Sequence, residues 1–266
     1  PYFFRQDEVS LEGISLRIVN LLANLQSNFY TLISRHDLIT ADGEELSEDF
    51  NDVLLTEDSF LIGTAVAAYL LSIQAHQRPA NFQPLVFTHS YNLFFQLPLI
   101  HALLDSTAFF VYDKGLELFE NLLLNVPKQT METRFLDLIR VYPIDKALVS
   151  IMVYSNSPDS RNRALCLFRH LVIALESYGR YKFLYQLLSQ PKQHTGFQAI
   201  VVQTFKDLLF YEETFQQANL QKMLRNIICV ALPDDQNTDI LANNDLIFAT
   251  LNLIIYILKG DPKVEN

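Results

Sequence analysis

Apolar side chains recur along the chain at intervals of three and four residues, the spacing of one face of an α-helix. Short turns rich in Pro, Asn, Asp or Ser separate the periodic segments, and no run of strict alternation flanked by hairpin residues occurs among them. We therefore predict an all-α fold. The predicted helices are Val9 to Ile33, Phe60 to Ile73, Leu85 to Leu104, Ala108 to Leu124, Thr130 to Arg140, Ile144 to Tyr154, Arg161 to Leu175, Tyr181 to Leu188, Phe197 to Phe210, Thr214 to Leu232 and Asp245 to Leu258.

The helices have apolar faces too wide for a lone helix, so each must pack on its neighbours. Helix pairs recur about every 40 residues, which is the size of a HEAT or armadillo repeat. The pattern thus favours a HEAT/armadillo-like α-solenoid of antiparallel helix pairs, with one helical-repeat domain over residues 1–266. Because the chain opens on Pro1 and not on Met, we expect it to be the C-terminal half of a longer protein.

The segment from Ser157 shows how one such helix begins. The Ser157 hydroxyl can cap the helix, and Pro158 suits the first helical position, where its missing N–H would have no partner. Asp159 then complements the positive end of the helix dipole.

Acidic residues concentrate near the start of the chain. No Lys or Arg occurs between Arg35 and Arg78, whereas Asp and Glu fall close together there. We predict an acidic and disordered loop over residues 40–58, solvated between two helices, with docking of a basic partner as the alternative.

Overall charge and composition exclude several classes of protein. The net charge of −10 repels phosphate backbones and no basic run offsets it, so we expect no nucleic acid partner. The longest apolar run, Leu246 to Leu258, is too short to span a bilayer, so we expect no membrane association. The two cysteines, Cys166 and Cys229, sit in apolar helical runs, which is typical of a reducing compartment. We expect a cytoplasmic monomer, with the nucleus as a second location.

The sequence favours a protein that is not an enzyme. Cys166 and His170 share a helix face, but Leu165, Leu167 and Phe168 flank the thiol, so we predict that it is buried and inert. The other histidines lack metal-ligand spacing, and the glycine-rich nucleotide motifs and the serine-hydrolase motif are missing from the sequence. We predict no metal and no cofactor.

The helix from Phe197 to Phe210 carries a candidate partner surface. Gln198, Val202 and Lys206 step along it at intervals of four, beside a separate core face, and place an apolar residue next to a cation. Ordinary solvated side chains would give the same pattern. Leu246, at the start of the last helix, is a second candidate, although core packing is favoured over exposure there.

Three stretches together resemble the glomulin family, which includes plant lateral-root and fungal Yap-binding proteins. They are Lys114 to Leu124, Ser157 to Lys206 and Leu232 to Leu253. The strongest similarity is in Gly179-Arg-Tyr-Lys-Phe-Leu-Tyr-Gln-Leu-Leu and in His194-Thr-Gly-Phe-Gln-Ala-Ile-Val-Val-Gln-Thr-Phe-Lys. The resemblance covers most of the chain from about Gln83 onward.

The resemblance implies a non-catalytic HEAT-like protein that inhibits cullin-RING ubiquitin ligases. Such a protein binds the RING-box subunit and covers the surface that accepts the ubiquitin-conjugating enzyme. The family's partner surface lies in its C-terminal repeats, where Lys206 matches a lysine of the family pattern and Leu246 replaces an expected basic residue. The predicted partner-binding residues are Lys206, Val202, Gln198 and Leu246. The alternatives are a fungal-type stress adaptor that binds a transcription factor and a generic solenoid scaffold for protein assembly.

Overall fold

The computed structural model describes residues 17–21, 57–73, 88–190, 194–209, 215, 217–232, 241 and 243–259. Within these ranges the chain is helical apart from its connections, and neighbouring helices pack on one another. The predicted all-α solenoid class is therefore confirmed. The chain divides into two compact units, Pro1–Asn125 and Val126–Asn266, a division that the prediction of one domain over residues 1–266 did not contain.

The first unit contains three mutually packed helices in its described part, α1 (Glu57–Ile73), α2 (His89–Leu104) and α3 (Phe109–Leu123). The hydroxyl of Tyr69 on α1 donates a hydrogen bond to Oε2 of Glu117 on α3, at 2.8 Å. Helices α2 and α3 meet at Gly115, where an added Cβ would lie only 2.9 Å from Cβ of Leu103. A glycine in the middle of α3 thus allows a close helix crossing, in spite of its low helix propensity.

Two predicted features of the first unit fall largely outside the described residues. Only residues 17–21 of the predicted helix from Val9 to Ile33 are described, and they are helical. Of the predicted acidic loop at 40–58, only residues 57 and 58 are described, and they already form the first turn of α1.

The second unit contains seven described helices. They are α4 (Phe135–Val141), α5 (Ile144–Tyr154), α6 (Pro158–Ala174), α7 (Ser177–Ser189), α8 (Thr195–Leu208), α9 (Gln217–Ala231) and α10 (Asn244–Lys259). The predicted start of α6 is confirmed, because the Ser157 hydroxyl accepts a hydrogen bond from the Ser160 N–H at 3.2 Å and Pro158 opens the helix. Its core contains fully buried phenylalanines, namely Phe135, Phe168, Phe197, Phe205 and Phe215.

The predicted helix from Thr130 to Arg140 begins five residues later than expected. Residues 130–134 are not helical, because the Met131 N–H donates to the Ala174 carbonyl at 2.9 Å and the Met131 carbonyl accepts from the Glu176 N–H at 2.8 Å. The Glu176 carboxylate also accepts a hydrogen bond from the Thr133 N–H. Met131, the buried residue of this segment, therefore pairs in extended conformation with the end of α6.

A buried arginine completes the junction between α6 and α7. The Arg180 side chain is only 3% exposed, and its guanidinium donates to the carbonyls of Val172, Ile173 and Leu175. These carbonyls lie at the C-terminal end of α6, where the helix leaves its last acceptors without internal donors. The positive charge also complements the negative end of the α6 dipole, so Arg180 ties α7 to α6.

Candidate partner-binding surface

Helix α8 lies at the centre of the candidate surface and buries the predicted core face. The ring of Phe197 packs edge-on against Phe168 of α6, with 5.4 Å between centroids. Phe205 packs in the same way against Phe215, at 5.2 Å. Phe197 and Phe205, together with Val201 between them, are almost fully buried, which confirms this part of the sequence interpretation.

Helix α10 covers a second side of α8 and runs parallel to it. At the N-terminal ends of the two helices, an added Cβ on Gly196 would lie 3.9 Å from Oδ2 of Asp245. At the C-terminal ends, Nζ of Lys206 lies over the ring of Tyr256, 5.5 Å from its centroid. Two like-directed helices separated by a connecting helix, here α9, are what successive repeats of a helix-pair solenoid produce.

The exposure predicted for Gln198 and Val202 is wrong, and the core packing favoured for Leu246 is confirmed. Val202 and Leu246 are 0% exposed, and Gln198 is 6% exposed. The cause is α10, which packs along the stripe of Gln198, Val202 and Lys206, so that this second face of α8 is a helix interface within the chain. Leu246 belongs to the inner face of α10, together with Thr250 and Leu253. Of the predicted set, Lys206 alone retains partial exposure.

Lys206 lies at the edge of this interface, half-buried, with its ammonium group over the face of Tyr256. A cation placed over a tyrosine face is attracted by the negative potential of the ring, a contact of roughly 0.5–1 kcal/mol at a partly exposed site. The neighbouring Asp207 accepts a hydrogen bond from the Gln203 side chain at 2.7 Å. The contact with Tyr256 therefore fixes the Lys206 charge beside α10, where a bound partner could reach it.

The outer face of α10 presents a row of exposed apolar side chains beside the polar Asn252, a feature that the sequence interpretation missed. Its side chains occupy positions i, i+3, i+7 and i+10, opposite the buried Leu246 and Leu253. They are Phe248 (58% exposed), Leu251 (49%), Ile255 (48%) and Leu258 (81%). We name these four residues the α10 outer face. The signal was present in the sequence, because Leu246 to Leu258 is apolar on most sides and is interrupted by Thr250 and Asn252, and such a helix is typically covered on more than one side.

The predicted burial of Cys166 is also wrong. Its thiol is exposed, as is that of Cys229. Leu167, Phe168 and Leu171 form the buried face of α6, and Cys166 lies on the opposite side with His170. Nδ1 of His170 contacts the Cys166 carbonyl oxygen at 2.8 Å, which directs the ring to the backbone.

The described residues were also compared with the requirements of a metal site and of a membrane-spanning helix. No group of three His, Cys, Asp or Glu side chains within the described ranges is placed to hold a metal ion. Among the helices that the structure describes, none combines the length and apolar character needed to cross a bilayer.

The part of the chain that is similar to known proteins includes the candidate surface. The family described as an uncharacterised protein family, YAP/Alf4/glomulin, matches residues 98–266, a range that includes α8, α9 and α10. The chain is 31% identical to glomulin of Mus musculus over 189 residues, which are 69% of this chain and 31% of that protein. It is 28% identical to glomulin of Homo sapiens over 209 residues, which are 76% of this chain and 34% of that protein. The chain spans about a third of the length of the curated relatives it matches.

Proposed function

Because the chain belongs to the YAP/Alf4/glomulin family, we propose that it binds the RING-box subunit of cullin-RING ubiquitin ligases without catalysing a reaction. By occupying the RING surface, it blocks access of the ubiquitin-conjugating enzyme. Steric exclusion needs no catalytic residue, and the protein acts as a monomer in the cytoplasm or nucleus. The observation that carries the proposal is the α10 outer face, an exposed apolar row within the range that matches the family.

The chemistry of the α10 outer face suits a protein partner. Apolar anchors near the centre of an interface supply most of its binding energy, and polar groups at the rim contribute orientation and association rate. Phe248, Leu251 and Ile255 would be the anchors, and the Lys206 ammonium would lie at the rim. The buried residues Gln198, Val202 and Leu246 would support this surface from below and make no contact with the partner.

We expect polar substitution of the α10 outer face to abolish most of the binding. The double variant Phe248→Ser/Ile255→Ser should bind a purified complex of the RING-box subunit and a cullin C-terminal domain at least about tenfold more weakly, because two anchors are lost. Isothermal titration calorimetry measures the change. Val141→Ser is the matched control, because Val141 is an exposed aliphatic residue (66%) at the end of α4. Equal affinity for both variants and the unaltered chain would rule out the α10 outer face as the interface.

Reversal of the Lys206 charge should have a smaller effect. We expect Lys206→Glu to weaken binding by about 1 kcal/mol, since a rim charge affects association more than the strength of a buried contact. The control is Lys128→Glu, an identical charge change at an exposed position outside the helices. Stopped-flow association at two salt concentrations separates the two variants. If Lys206→Glu and Lys128→Glu associate at the same rate, Lys206 does not face the partner.

A competition experiment tests the exclusion mechanism separately from binding. If the proposal holds, the chain suppresses ubiquitin discharge from the charged conjugating enzyme by the RING-box complex, and the Phe248→Ser/Ile255→Ser variant does not. Tight binding without suppression of discharge would contradict the exclusion mechanism while leaving the interface in place.

A further inference from the structure

Three tyrosines, Tyr178, Tyr181 and Tyr185, form a continuous row along one side of α7. None of them belongs to the α10 outer face. The rings of Tyr178 and Tyr181 are separated by 6.4 Å between centroids, and those of Tyr181 and Tyr185 by 6.0 Å, with interplanar angles of 30° in both pairs. Tyr178 is 56% exposed and Tyr185 is 37% exposed. We name these three residues the tyrosine row. Tyr181, between the other two, is half-buried and also packs against Phe215, with 6.2 Å between centroids. Two exposed tyrosines on either side of a third are unusual on a surface that serves only solvation.

The tyrosine row leads into a cavity of about 430 Å³ between α4, α5 and α7, where Tyr185 forms part of the wall. The other lining side chains include apolar ones from α4 and α7, among them Leu136, Ile139 and Phe183. The cavity is therefore large enough for one long side chain of a ligand, and its walls suit an aliphatic stem.

One buried acid lines this cavity. Asp145 is 6% exposed and lies in the first turn of α5. Burial is the main influence on its carboxyl group and raises its pKa, while a hydrogen bond from the Lys146 N–H, the positive charge of Lys146, and hydrogen bonds from its own N–H and the Gln190 side chain oppose that shift. A buried carboxylate in a wall of mixed polar and apolar side chains is stabilised by a cation that enters the cavity.

We propose that the tyrosine row and the cavity beside it bind an extended proline-rich peptide segment whose lysine or arginine side chain enters the cavity and pairs with Asp145. This site is separate from the α10 outer face and does not depend on the function proposed above. The ligand belongs to a partner protein, in the polyproline II conformation.

The geometry of the row matches this conformation. A polyproline II helix rises about 6.2 Å over two residues, close to both ring separations in the tyrosine row, so every second residue of such a segment can rest against the next ring of the row. Its backbone carbonyls have no internal donors, and tyrosine hydroxyls can donate to them. Aromatic-lined grooves are a general means of recognising such segments, because the ligand loses little conformational entropy on binding.

Charge favours a basic end on the ligand. The chain as a whole carries a net charge of −10, which attracts a cationic peptide. Two cations, Arg140 and Lys146, also line the cavity, and both are exposed at its rim. Arg140 is paired with Asp137 of α4 at 3.4 Å, which leaves the rim less positive than its two cations alone would make it. An aliphatic stem with a terminal cation can pass the rim and reach Asp145.

The test uses the whole chain and a fluorescein-labelled peptide, Pro-Leu-Pro-Pro-Leu-Pro-Arg, with a blocked C-terminus. Fluorescence anisotropy should show saturable binding. The double variant Tyr178→Ala/Tyr185→Ala should bind about tenfold more weakly, because two aromatic contacts are lost. Tyr154→Ala is the control, since Tyr154 is an exposed tyrosine (75%) on α5 outside the row. Circular dichroism confirms that each variant is folded.

A second comparison tests the role of Asp145. Replacing the peptide's Arg by Gln should weaken binding about fivefold for the unaltered chain but not for Asp145→Asn, whose shape is conserved. Lack of saturable binding, equal affinity for the tyrosine double variant, or tighter binding of a peptide ending in Glu would each overturn the proposal. The tyrosine double variant should bind the RING-box complex with the same affinity as the unaltered chain. A failure of one proposal can therefore be told apart from a failure of the other.

Discussion

Replacement of Arg180 by methionine is expected to lower the free energy of unfolding by about 4 kcal/mol. The guanidinium supplies the donors for three carbonyls at the end of α6 in a site that excludes water. Methionine fills a similar volume but donates nothing, so each buried carbonyl loses its charged partner. The effect should be large because these bonds also hold α7 against α6.

Thermal unfolding followed at 222 nm should show a fall in melting temperature of roughly 10 °C for Arg180→Met. The melting temperature of Arg180→Lys should lie between those of the unaltered chain and Arg180→Met, since one ammonium group cannot reach three carbonyls with the geometry of a guanidinium. Arg169→Met is the control, because Arg169 is an exposed arginine on α6. Equal melting of Arg180→Met and Arg169→Met would show that the carbonyls find other donors and that the junction does not depend on Arg180.

Gly115→Ala is expected to destabilise the first unit by about 3 kcal/mol, although alanine is the better helix former. The added methyl would lie 2.9 Å from Cβ of Leu103 and 3.0 Å from the backbone nitrogen of Leu104. Neither atom belongs to the flexible end of a side chain, so α2 and α3 must move apart. The lost packing along the crossing outweighs the roughly 1 kcal/mol gained in helix propensity.

The sharpest control is the same substitution on a helix without a neighbour at that position. Nothing lies within 4 Å of a Cβ added to Gly63 in α1, so Gly63→Ala should raise stability by about 0.5–1 kcal/mol. Urea unfolding and amide hydrogen exchange of α2 and α3 measure both variants. Stabilisation by both substitutions would mean that the crossing of α2 and α3 can widen at little cost.

Most of the fold could be predicted from local signals. Apolar periodicity gave the order of the described helices, and the Ser157 cap with Pro158 fixed the start of α6 to within one residue. The error at residues 130–134 has a tertiary cause, since Met131 pairs its backbone with residues more than 40 positions away. A pattern of local spacing contains no information about such a partner. The burial of Arg180 likewise could not be predicted from local spacing, because the carbonyls that accept its hydrogen bonds belong to the end of α6.

The sequence interpretation misjudged which faces of α8 and α10 are exposed. Lys206 lies where the sequence placed it, whereas Gln198 and Val202 are covered by α10. The adjacent pair Val201 and Val202 was a sign that α8 is buried on two sides, because neighbouring positions on a helix point about 100° apart. The exposed row from Phe248 to Leu258 follows from the same reasoning for α10.

The burial of Val202 on α8 and of Leu246 on the inner face of α10 affects how a genetic screen for lost binding should be interpreted. Changes at these positions would loosen α10, and a marginally stable protein with such a change is degraded in cells, so its abundance falls. Changes at Phe248 or Ile255 would leave abundance intact and remove only the interaction. A screen scored by growth alone would therefore identify both classes together, and protein level is the measurement that separates a contact residue from its support.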